Sequence, residues 1–113
     1  PAYDKKYVVD KRVAKPAKVT LKSVKNTKSK SISVSWKKVS GAKGYQITYS
    51  TSKKFSKKLT KTITVSSSTA SKVIKSLKKN KTYYVKVRAF KKDKKGNKVY
   101  GSYSSVKKVA VKK

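Results

Sequence analysis

The feature that most constrains the fold of this chain is a strict alternation of apolar and polar residues over short segments. Residues 32–36, 45–50 and 83–90 each place an apolar side chain at every second position. Successive side chains of a β-strand point to opposite faces, so this period of two predicts strands with one buried face. No segment shows a sustained helical period. The pattern therefore predicts an all-β protein.

Turn-forming residues separate seven such segments, which recur at intervals of about 12 residues. The predicted strands contain, in order, Val19 and Leu21, residues 32–36, residues 45–49, Leu59 with Ile63 and Val65, residues 73–77, residues 83–90, and a return strand from Val99 to Val109 and Val111. Seven short strands in a chain of this length predict an antiparallel β-sandwich. Residues 1–15 lack the alternation and are predicted to be a lead-in or linker to a single domain at 16–113.

Several classes of chemistry are excluded by residues that the chain lacks. Histidine and cysteine are absent, and the carboxylate side chains are those of Asp4, Asp10 and Asp93. Ser-His-Asp and Cys-His nucleophile systems and zinc sites therefore cannot be assembled. The 4 glycines form no phosphate-binding loop. We expect no enzyme activity, no catalytic residue, no metal site and no cofactor.

Membrane and targeting signals are also missing from the sequence. No apolar run approaches the roughly 20 residues that cross a bilayer, so no transmembrane segment is predicted. No signal peptide is visible, and we expect the chain to be a mature or excised piece of a longer protein.

The order of the predicted core residues resembles that of a fibronectin type III domain. The resemblance covers residues 16–113. Pro16 precedes the first predicted strand, Trp36 closes the second, and Tyr45 and Ile47 lie in the third. Leu77 stands shortly before Tyr83, which opens the sixth strand. Lys79 stands where the family often has Pro. Gly101 and Ser104 fit the start of the broken last strand that the family has. The resemblance implies a seven-stranded, immunoglobulin-like sandwich. In that fold Trp36 lies between the sheets and the Tyr83 hydroxyl bonds back to the backbone near Leu77.

The resemblance also implies a role. The chain looks like the lysine-rich fibronectin type III domains of secreted and surface proteins of Gram-positive bacteria. Such a domain would be a non-catalytic, monomeric spacer or adhesion module beside neighbouring domains of a longer chain. With an odd number of strands, its two ends would lie at opposite ends of the sandwich, which suits a spacer.

The net charge of +31, from 34 Lys and Arg against 3 Asp, has three interpretations. The lysines solvate the outward faces and keep edge strands from aggregating. Alternatively, they attract anionic polymers such as cell-wall teichoic acids or acidic glycans. Nucleic acid is a distant third interpretation, because specific readout of bases favours Arg and the chain has only Arg12 and Arg88. We expect no specific nucleic acid partner.

One local pattern indicates a possible ligand face. The outward positions of the sixth strand carry an aromatic and basic stripe beside Gln46 and Thr48 of the third strand: Tyr84, Lys86, Arg88 and Phe90. Such a stripe could stack sugars or bind an acidic partner. Alternatively, the two aromatic residues cover neighbouring Lys stems or contact the lead-in segment. Tyr100 and Tyr103 are the second candidates.

Overall fold

A computed structural model of the chain describes residues 15–113. The predicted lead-in segment at 1–15 therefore lies almost entirely outside the described residues. The described part contains a short 3-10 helix at Lys57–Leu59 and eight strands: β1 (Leu21–Lys25), β2 (Ile32–Trp36), β3 (Gly44–Ser50), β4 (Thr60–Ser66), β5 (Ser71–Ile74), β6 (Lys81–Lys92), β7 (Lys98–Tyr100) and β8 (Lys107–Val111).

The strands form two antiparallel sheets, which confirms the predicted sandwich. The smaller sheet has the order β1-β2-β5, and the larger has the order β4-β3-β6-β7 with β8 also paired to β6. Strand β6 is long enough to hold two partners along one edge. Its first residues pair with β8 and its last residues pair with β7.

The structure has eight strands instead of seven because the predicted last strand is interrupted between β7 and β8. Gly101 lies against the backbone carbonyl of Pro16, where a Cβ atom would collide. Further on, the backbone N–H of Ser104 donates to the Val87 carbonyl (2.7 Å), and the Val87 N–H donates to Ser104 Oγ (3.0 Å). A side-chain oxygen thus replaces a backbone carbonyl, so the segment stays bonded to β6 without forming a regular strand.

Other strand boundaries also differ from the prediction. Strand β1 begins at Leu21, so Val19, which was predicted in the first strand, precedes it. Leu59 belongs to the 3-10 helix and is 54% exposed, so β4 begins one residue later. Strand β5 ends at Ile74, before the predicted end, and Ser76 takes a left-handed conformation with φ 60°. That turn ends the extended backbone but still directs Leu77 into the core, where its N–H donates to the Lys30 carbonyl.

The core confirms the predicted anchors. Trp36 is 1% exposed, and its ring centroid lies 5.5 Å from that of Tyr45. The Tyr83 hydroxyl accepts a hydrogen bond from the Lys78 N–H (2.8 Å), close to Leu77 as the resemblance implied. The core cluster draws on both sheets and includes Val19, Leu21, Ile32, Val34, Ile47, Ile74, Val85, Val87, Ala89 and Val111.

Candidate functional site

The outer face of the larger sheet carries the predicted aromatic and basic stripe. Strands β3 and β6 pair so that Gln46 lies opposite Arg88 and Thr48 lies opposite Lys86. The side chains of Lys86 and Arg88 are half-buried, and neighbouring rings pack against their charged groups. The adjacency predicted from the alternation is therefore present.

On this face Lys86 and Arg88 each contact two aromatic rings. The Lys86 Nζ atom lies 4.3 Å from the ring centroid of Phe55 and 4.2 Å from that of Tyr103. Arg88 Cζ lies 3.6 Å from the Tyr100 centroid and 4.5 Å from the Tyr103 centroid. A partly desolvated contact of this kind stabilises a fold by about 0.5–2 kcal/mol.

The row continues toward β7. The rings of Phe90 and Tyr100 pack edge to face with centroids 6.1 Å apart, and Lys98 Nζ lies 5.0 Å from the Phe90 centroid. We call the whole set the cation–aromatic row: Phe55, Lys86, Tyr103, Arg88, Tyr100, Phe90 and Lys98. Its cations and rings already have partners within the domain.

Hydrogen bonds fix the centre of the cation–aromatic row. Arg88 Nε donates to Gln46 Oε1 (2.7 Å), and the Tyr103 hydroxyl donates to the same oxygen (3.3 Å). The hydroxyls of Thr48 and Tyr103 lie 3.1 Å apart. One amide oxygen thus holds both a guanidinium and a phenol in place.

The four residues of the predicted ligand face have different environments. Phe90 is only 5% exposed, with its ring over the backbone of Gly44, so no sugar can stack on it. Lys86 and Arg88 are held within the row. Tyr84 is half-exposed and, among the described residues, contributes to none of these hydrogen bonds or ring contacts.

Tyr84 instead borders a cleft of about 600 Å³. This cleft opens between the start of β4, the connection from β5 to β6, and the start of β6. Its apolar part is formed by Leu77, Tyr49 and Tyr83. The pKa of Tyr49 is raised above its ordinary value, mainly because the phenol is partly buried and to a smaller extent because Tyr83 lies nearby. Five lysines line it: Lys58, Lys61, Lys75, Lys78 and Lys81.

Tyr84 also lines a second, smaller hollow. The other residues of its lining are Lys53, Val106 and Lys108. Since both hollows include Tyr84, we call them together the basic groove. The sequence pattern does not predict this groove, because its residues come from five separate segments and no local pattern encodes how these segments approach one another.

Asp93 is the only carboxylate side chain in residues 15–113. Its Oδ1 atom accepts hydrogen bonds from the backbone N–H groups of Asn97 (2.9 Å) and Lys95 (2.9 Å). These bonds, the one to Asn97 first, lower the pKa of Asp93. Asp93 therefore has a structural role in the β6–β7 turn.

Comparison with known families identifies this architecture. The sequence model of the fibronectin type III domain matches residues 15–102. The chain belongs to the fibronectin type III family. Fibronectin type III domains are typically non-catalytic structural or adhesion modules within multidomain chains, and the proteins that carry them are mostly extracellular or on the cell surface.

Solved fibronectin type III structures resemble the chain closely. A crystal structure of the chicken CNTN1 FN1-FN3 domains is 31% identical with a TM-score of 0.70, covering 85% of this chain and 30% of that one. The fn3 domain of human contactin 1 is 23% identical (TM-score 0.63), covering 80% and 73% of the two chains. An Fn3-like protein from Clostridium thermocellum is 18% identical (TM-score 0.61), covering 85% and 90%. The last two show the fold alone.

The chain thus spans less than a third of the chicken structure. No curated protein sequence gives a significant match. In the described part of this fibronectin type III domain, no helix has the length and apolarity needed to cross a membrane.

Proposed function

We propose that this fibronectin type III domain is a non-catalytic spacer and adhesion module of a longer secreted or cell-surface bacterial protein. In this proposal residues 16–113 form the folded module and residues 1–15 lead into it from a neighbouring domain. Histidine and cysteine are absent, and Asp93 is engaged in a turn. These two facts support a role without catalysis.

The observation that carries the proposal is the path of the chain through the sandwich. Pro16 packs against Gly101, whose N–H donates to the Ala89 carbonyl near the end of β6. At the other end, the Asn80 N–H, just before β6, donates to the Val111 carbonyl. The chain therefore enters and leaves at points separated by roughly 25–30 Å of strand. Modules with this geometry extend when they are joined in series.

Lysines on the outer strands support a monomeric module. Strands β4 and β5 lie at sheet edges, and each carries an exposed lysine, Lys61 and Lys72. Charged side chains on an edge strand oppose pairing with the edge of another molecule. This supports solvation and protection of edges as one purpose of the charge.

Small-angle scattering of a head-to-tail tandem of two copies tests the spacer role. We expect the maximum dimension to increase by about one domain length, ~40 Å, over that of one copy. The measurement is repeated at high salt, because charge repulsion alone would also extend the tandem at low salt. A compact, side-by-side tandem at high salt would contradict the spacer geometry.

A further inference from the structure

We propose that the basic groove binds a linear acidic polysaccharide. This inference supplies a ligand class for the adhesion part of the proposed function and rests on that part alone. The groove lies beside the start of β6, at the end where β8 leaves the sandwich.

The charge of the groove is concentrated, and no carboxylate side chain of residues 15–113 lines it. Lysines from the 3-10 helix, from β4 and from the β5–β6 connection converge on one concave surface. Concave surfaces lined by one sign of charge focus the electrostatic field. Asp93 follows the far end of β6, roughly 40 Å of strand away from Lys81. An anionic ligand in the groove would therefore meet only positively charged groups among the described charged side chains.

Each of the two hollows is lined by one strongly exposed apolar side chain. Leu59 is 54% exposed and lines the larger hollow, and Val106 is 48% exposed and lines the smaller. Among the described residues, Val73 is the one other large apolar side chain that is this exposed. Apolar groups gathered at a charged concavity are typical of binding surfaces. A sugar ring satisfies both chemistries, because its C–H face packs on apolar or aromatic groups while its acidic substituents bind ammonium groups.

The shape of the groove favours a chain over a single small anion. Tyr84 lines both hollows, whereas Leu59 lines only the larger and Val106 only the smaller, so a ligand that occupies both hollows contacts all three residues. A lone anion would fill one hollow and leave the exposed apolar residue of the other without a role.

The cation type argues against nucleic acid. Among residues 15–113 no arginine lines the groove, and the one arginine there, Arg88, is held by Tyr100, Tyr103 and Gln46. Lysine ammonium groups act as point charges that accept sulfate or carboxylate in many orientations, whereas base readout uses the planar arginine fork.

Calorimetric titration of the full chain with a sulfated, heparin-derived oligosaccharide and with a carboxylated oligogalacturonate tests the proposal. The groove variant is Lys61→Gln, Lys75→Gln, Lys81→Gln. The matched control is Lys22→Gln, Lys94→Gln, Lys95→Gln, which removes three exposed charges outside the groove. We expect binding of at least one glycan to weaken about 10-fold or more in the groove variant and about 2-fold or less in the control. The slope of log K against log[salt] should fall by about 2 in the groove variant only.

Substitutions of Tyr84 test whether glycan binding uses the aromatic ring as well as the charges of the lysines. Tyr84→Ala should weaken glycan binding about 5- to 10-fold and leave the salt slope unchanged, whereas Tyr84→Phe should bind like the unaltered chain. Thermal melts confirm that each variant is folded.

Three results would overturn the proposal. If the two triple variants weaken glycan binding equally, the attraction is diffuse. If Tyr84→Ala weakens binding and also changes the salt slope, Tyr84 acts only through the charges around it. If single-stranded DNA of equal charge binds more tightly than the glycans, and its binding depends on Tyr84, the groove is a nucleic acid site. None of them changes the tandem scattering result, so a failed groove and a failed spacer can be told apart.

Discussion

At the scale of single residues, the aromatic side chains of Trp36 and Tyr83 stabilise the packing of the core, and Tyr83 also bonds to a turn. Trp36 fills the space between the sheets, with its indole N–H buried and without a hydrogen-bond partner in the described part of the chain. It therefore acts by packing. Tyr83 combines packing with one hydrogen bond to the turn that precedes β6.

Trp36→Ala is expected to lower the free energy of unfolding by about 3–5 kcal/mol, because it empties the centre of the core. Urea unfolding followed by circular dichroism measures this loss. Val73→Ala, at a 44% exposed position, serves as the control and should cost less than about 0.5 kcal/mol. A loss below about 1 kcal/mol for Trp36→Ala would disagree with its position between the sheets.

Tyr83→Phe removes the acceptor of the Lys78 N–H and keeps the ring. We expect a loss of about 1 kcal/mol, typical of one partly buried hydrogen bond. Tyr84→Phe, next in sequence, is the matched control and should leave stability unchanged. Comparable unfolding midpoints for both variants would show that the bond to Lys78 does not contribute.

At the scale of elements, β6 organises both faces of the larger sheet. Its inward residues Val85, Val87 and Ala89 enter the core, and its outward Lys86 and Arg88 form the centre of the cation–aromatic row. The β6–β7 hairpin ends in a turn that depends on Asp93. This turn gives the domain a defined response to acid.

Asp93→Asn is expected to lower the melting temperature near neutral pH, because a charged acceptor of two backbone N–H groups is lost. The folded-state pKa of Asp93 is lowered, so its contribution is present above the unfolded-state pKa of about 3.9 and disappears as the pH falls through the folded-state value. The difference between Asp93→Asn and the unaltered chain should therefore shrink in melts recorded at increasingly acidic pH. A difference that stays constant down to about pH 2 would rule out this linkage.

At the scale of the whole molecule, charge opposes folding. The net charge is +31, and most described lysines are exposed. The Debye length is about 8 Å at physiological salt and about 30 Å at 0.01 M, so neighbouring lysines interact strongly only at low salt. Unfolding separates these charges, and their repulsion therefore favours the unfolded chain.

The melting temperature is expected to rise as NaCl increases from low to physiological ionic strength. Sulfate should raise it further, because it screens more strongly and also strengthens apolar burial. A neutral osmolyte at matched osmolality separates screening from general solvent effects. A melting temperature that stays flat or falls with NaCl would show that the lysines lie too far apart for repulsion to matter.

The sequence alone determined the all-β class, strands β2, β3 and β6, the buried anchors Trp36 and Tyr83, and the position of Gln46 and Thr48 beside the outward residues of β6. Alternation encodes these features, since a period of two assigns every side chain of a strand to one face of the sheet. Outward residues of two adjacent strands therefore lie side by side. Tertiary structure alone decided the rest. Phe55 reaches Lys86 through a left-handed backbone at φ 55°, and Gly101, where the resemblance already implied a broken last strand, packs against the Pro16 carbonyl. The basic groove forms only when five distant segments pack together. These features depend on loop conformations and on contacts between residues far apart in the chain, which no local periodicity contains.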